Sequence, residues 1–123
     1  MKKITFNCKI NNKNYNFYAS WENNNKVKSI FSSNINGLYN GEINLFGRQA
    51  NNFIYCLNKA NLPSLTYKHN VSSFNNDCFL TINDDNVLTQ NKWKMTSFPN
   101  NVDYLYTAIA LCDSKFLNIF RKQ

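Results

Sequence analysis

Ile4-Thr5-Phe6-Asn7-Cys8-Lys9-Ile10, a polar Asn11-Asn12-Lys13-Asn14, and then Tyr15-Asn16-Phe17-Tyr18-Ala19-Ser20-Trp21 form the stretch that decides the fold. Ile4, Phe6, Cys8 and Ile10 alternate with Thr5, Asn7 and Lys9, a period of two that places the apolar side chains on one face of an extended strand. Tyr15, Phe17, Ala19 and Trp21 alternate in the same way beyond the polar residues. The two runs read as a β-hairpin with one apolar face. Such a face has to be covered, and the rest of the chain must supply the cover.

Outward from the hairpin, Glu22 to Asn25 make the next turn, and a third strand runs from Lys26 to Ser32 through Val27, Ile30 and Phe31. Asn34 to Glu42, with Gly37 and Gly41, reads as a loop. From Asn44 the period changes. Leu45, Phe46, Gln49, Ala50, Phe53, Ile54 and Leu57 recur at intervals of three and four, which predicts a helix with Asn44 as its N-cap and Asn61 with Pro63 as its stop. Leu65, Tyr67, His69 and Val71 alternate as a fourth strand, and Cys78, Leu80 and Ile82 as a fifth. Asn83-Asp84-Asp85-Asn86 is a turn, after which Val87 to Phe98 returns as a sixth strand closed by Pro99.

Val102, Leu105, Ile109, Cys112, Phe116 and Ile119 mark a last helix of about five turns, too apolar on one side to stand alone. Asn100 or Asn101 caps it, Asp103 suits its positive end, and Lys115, Arg121 and Lys122 suit its negative end. Docking on the sheet is favoured over a heptad seam in a homodimer, because Asp113 and Ser114 interrupt the seam. The expected fold is one α+β domain over residues 1–123: an antiparallel sheet of about six strands with two helices packed on one face, in the order β-β-β-α-β-β-β-α.

Composition narrows the function classes. The 25 Asn, with abundant Lys, Ile, Phe and Tyr, match amino acids written by AT-rich codons, and the Asn are scattered rather than run together. The net charge is +7, from 14 Lys and Arg against 7 Asp and Glu, which favours polyanionic partners. Only Arg48 and Arg121 are Arg, so the bidentate phosphate and base contacts typical of a dedicated nucleic-acid reader are scarce. No apolar run approaches a membrane span, and a strand begins at Lys3-Ile4 where a signal segment would lie, so a cytoplasmic protein is expected, or a host-cell interior if phage-encoded.

The residues that carry chemistry are sparse. His69 is the one His, and it alternates with Tyr67 and Val71 as a core residue would. Cys8, Cys56, Cys78 and Cys112 lack C-x-x-C spacing and sit within apolar patterns, which reads as four buried free thiols. Asp84-Asp85 lies within turn residues, and Gly37 to Gly41 lacks the Lys of a phosphate loop. No catalytic residue, metal ligand or cofactor is expected, and an enzyme using His69 or a Cys ranks last.

What remains is binding. Arg48, beside a helix start, is the best small-anion candidate, and Tyr18, Tyr39, Tyr104 and Tyr106 with Lys92 and Lys94 are the candidate contact residues. The expectation is a non-enzymatic binding protein with a macromolecular partner, a protein or nucleoprotein complex. The profile suits a phage or mobile-element accessory protein that inhibits a host defence complex by binding it. A binder of a small anionic ligand, nucleotide or nucleic acid is the alternative.

Overall fold

The computed structural model describes residues 1–35, 37–60, 77–85, 87–94 and 102–121. Its strands are β1 (Lys2–Ile10), β2 (Lys13–Trp21), β3 (Lys26–Ser33), β4 (Tyr39–Phe46), β5 (Asp77–Asp84) and β6 (Val87–Lys94). The helices are α1 (Arg48–Ala60), α2 (Val102–Cys112) and α3 (Phe116–Arg121). The six strands form one antiparallel sheet in the order β4-β3-β2-β1-β5-β6, with the N-terminal strand at its centre.

The hairpin closes through Asn11 and Asn12, whose φ of 50° and 68° are both left-handed, as a two-residue turn between twisted strands requires. Asn tolerates that region better than most residues, so the Asn-Asn pair sets the register. Phe6 then faces Phe17, Ile4 faces Ala19, and Cys8 faces Tyr15, all on the same side. These residues are buried, as are Leu80 and Trp93 farther along the sheet.

All three helices lie on that side. From α1, Phe53 meets the rings of Phe17 and Trp21 at 6.4 and 5.7 Å. Tyr106 of α2 stands 6.0 Å from Phe6. Phe116 of α3 lies 5.8 Å from Phe6 and 5.1 Å from Tyr15. The expected antiparallel sheet covered on one face is therefore the architecture of the chain.

Three local expectations are corrected. The presumed loop at Asn34 to Glu42 holds the start of β4, and Asn44 is no helix cap but a strand residue opposite Lys28. Gly47, with φ of 57°, turns the chain from β4 into α1, and its carbonyl accepts the first helical hydrogen bond from Asn51 N at 3.0 Å. The order is thus four strands before α1. The single long C-terminal helix is two, broken at Asp113. There the Asp113 carboxylate accepts from Lys115 N at 3.0 Å and its carbonyl from Phe116 N at 3.1 Å, which restarts the chain as α3. The strand expected at Leu65 to Val71, His69 included, and the end of the strand expected to reach Phe98 lie outside the described residues.

Candidate binding surface

A sheet covered on one side leaves its other side open, and alternation decides what is there. The positions between the core residues point outward: Lys3, Thr5, Asn7 and Lys9 on β1, Asn16, Tyr18 and Ser20 on β2, and Lys28, Ile30 and Ser32 on β3. Register lines them up across the sheet. Tyr18 stands between Ile30 and Thr5, while Ser20 stands between Lys28 and Lys3. On the far side, Thr5 faces Thr81 and Asn7 faces Phe79, and Phe79 faces Lys92.

The electrostatics of this face are positive. Glu42 pairs with Lys28 at 3.5 Å and Asp77 with Lys92 at 3.9 Å, but Lys3 and Lys9 make no ion pair among the described residues. The Lys92 ammonium also lies 5.2 Å from the centre of the Phe79 ring, a cation–π contact that holds it over the sheet. Asp77 is 4% exposed, and its Oδ1 has no hydrogen-bond partner among the described residues. Lysines at both ends of the central strand, about 20 Å apart, bracket a stretch of Thr, Asn and Tyr side chains.

Of the residues expected to make contacts, Tyr18 and Lys92 lie on this face. Lys94 is placed at the end of β6 opposite Asp77, and its side chain lies outside the described residues. Tyr104 is exposed on α2, on the helical side. Arg48 is exposed as the first residue of α1, also away from the open face. A cavity of about 370 Å³ opens at one end of the sheet between Ile4, Trp21, Leu57, Ile82 and Val87, and Arg48 does not line it.

Tyr106 is corrected from an exposed contact to a core residue. It is 6% exposed, and its hydroxyl accepts from Trp93 Nε1 at 3.2 Å and lies 3.9 Å from Cys78 Sγ. Helical spacing explains this: Val102, Leu105, Tyr106 and Ile109 share the face that meets the sheet. Tyr39 is half-buried, and its hydroxyl donates to Asp113 Oδ2 at 3.0 Å. Tyr15 donates to the same oxygen at 2.9 Å, so this carboxylate ties β2, β4 and the α2–α3 break together. Burial, first, and the neighbouring Asp113 charge push both phenols far above their ordinary range, leaving them protonated donors.

The remaining polar motifs have structural roles. Asp84 pairs with Lys2 at 3.8 Å and Asp85, with φ of 47°, turns β5 into β6. Gly41 makes room for Phe31, since a Cβ there would meet the ring at 2.6 Å. Cys8, Cys78 and Cys112 are buried and Cys56 is half-buried, and all four are free thiols.

Lys3, Lys9, Lys28 and Phe79 are absent from the sequence-based candidates. Their signal was the same alternation that located the core, taken at the other parity; what alternation lacks is the strand order that gathers them. No helix among the described residues is long and apolar enough to cross a membrane. No family model matches the chain, and neither a curated protein nor a solved structure matches it.

Proposed function

We propose that this is a non-enzymatic binding protein that docks a macromolecular partner, through an acidic surface of that partner, on the open face of its sheet. The observation that carries the reading is the grouping of Lys3, Lys9, Lys28 and Lys92 on one face with Tyr18, while the other face is spent on the core. Long-range attraction from such a face raises the rate of encounter with a negatively charged partner. A phage or mobile-element accessory protein that blocks a host defence complex by occupying an acidic surface of it would work in this way.

The test separates a patch from dispersed charge. Lys3→Glu with Lys9→Glu and a control pair, Lys13→Glu with Lys59→Glu, carry the same change in net charge. On an immobilised polyanion, the open-face pair is expected to elute at clearly lower salt than the control pair. Equal elution of the two would show that position on the sheet is irrelevant and would overturn the proposal.

A further inference from the structure

Building on the open face as the docking surface, we infer that its occupant is a single-stranded nucleic acid, stacked on Tyr18 and neutralised by the surrounding lysines. A protein partner is gripped by apolar, aromatic and Arg anchors at the centre of the contact, where Lys is depleted. The open face has the reverse character. Its centre is Thr5, Asn7, Asn16, Ser20 and Thr81, and its exposed apolar side chains, Ile30, Phe46 and Leu88, stand on β3, β4 and β6, away from the central strand.

The parts present are those that hold an unpaired strand. Tyr18 is half-buried on the open side between Ile30 and Thr5, so part of its side chain meets solvent there. Lys3 and Lys28 lie two strands apart in one row, about 10 Å, and Lys9 lies beyond Asn7 along β1. A ring among spaced ammonium groups suits bases that turn inward and phosphates that stay outward. Asn7, Asn16 and Thr5 offer donors and acceptors at base level. A duplex hides its bases in the stack and could not use Tyr18. Two features fit low sequence preference: no Arg stands on the face, and stacking accepts every base.

Three probes decide the question by fluorescence anisotropy on the intact chain: a fluorescent oligothymidylate of about twelve nucleotides, an abasic oligomer of equal length, and polyglutamate of similar charge. Oligothymidylate is expected to bind, with a logarithmic salt slope of about −2 to −3 for three or four phosphates contacted. Tyr18→Leu should weaken it about tenfold and leave the abasic oligomer unchanged, while Tyr18→Trp restores binding. Lys3→Glu with Lys9→Glu should weaken both oligomers. Equal affinity for the two oligomers with Tyr18→Leu silent would overturn the stacking assignment. Binding of polyglutamate alone, lost in the lysine pair, would make an acidic protein the occupant; the inference would fall and the open-face proposal stand. Binding of none of the three would overturn both.

Discussion

Asp113 shows how much one side chain can organise. It is 2% exposed, receives the hydroxyls of Tyr15 and Tyr39 on one oxygen and the amide of Lys115 on the other. Removing it strands a fully buried phenol and a half-buried one, so Asp113→Ala is expected to cost about 2–4 kcal/mol in urea unfolding. Asp113→Asn keeps an acceptor and should cost about 1 kcal/mol. Equal losses for the two would mean that size rather than hydrogen bonding matters at this position. At Gly41 the issue is space. Phe31 is 8% exposed, and its ring rests where a side chain would begin, so Gly41→Ala is expected to lower stability by about 1–3 kcal/mol through overpacking. A thermal melt compared with Gly47→Ala separates this from a pure backbone effect, because nothing crowds Gly47 within 4 Å and its cost comes from φ of 57° alone.

At the scale of elements, turns and breaks decide more than propensities. The β1–β2 turn needs two left-handed residues, so Asn12→Gly should hold or raise stability, whereas Asn12→Val should lose about 1–2 kcal/mol. A midpoint of chemical unfolding that responds equally to both would contradict the turn geometry. Much of this level was legible. The alternation of Ile4 to Trp21 located the first hairpin, and Val102, Leu105 and Ile109 located the face of α2. The errors around β4 share one cause, that Leu45 belongs equally to a period of two and to one of 3.6. Tyr39, Gly41, Ile43 and Leu45 alternate too, but as an edge strand β4 leaves Ile43 40% exposed, and a single Gly stands where an apolar residue would have completed the pattern. In the last helix, spacing continued evenly through Asp113, and the helix stops there because Asp113 accepts from the Lys115 amide and meets two phenols across the core.

For the whole molecule, the buried titratable groups predict where the fold fails. Burial raises Cys112 from 9.0 to about 11, and Cys8, hydrogen-bonded to Cys78 and buried, is raised as well. Tyr15 and Tyr106 are raised chiefly by burial. In each case the folded chain keeps its proton to higher pH than the unfolded one. The stability tied to these groups is fully present below pH 9.0, the unfolded thiol value, and drains as pH climbs toward 11. The unfolding midpoint should therefore hold level up to about pH 9 and fall beyond it, as read by chemical denaturation across that range. A midpoint that stayed level through pH 11 would contradict the burial of these thiols and phenols.

The sequence by itself determined the alternating faces, the aromatic core material and the excess of positive charge, because these depend on periods of a few residues and on counting. The outward placement of Tyr18 and Lys92 was legible because each follows or precedes a core position by one. Only the tertiary structure decided that Lys3, Lys9 and Lys28 share a surface with Tyr18. The reason is physical. A period tells which residues share a side of one strand or helix, whereas the order β4-β3-β2-β1-β5-β6, and the side the helices take, are set by long-range packing that no short stretch of chain contains.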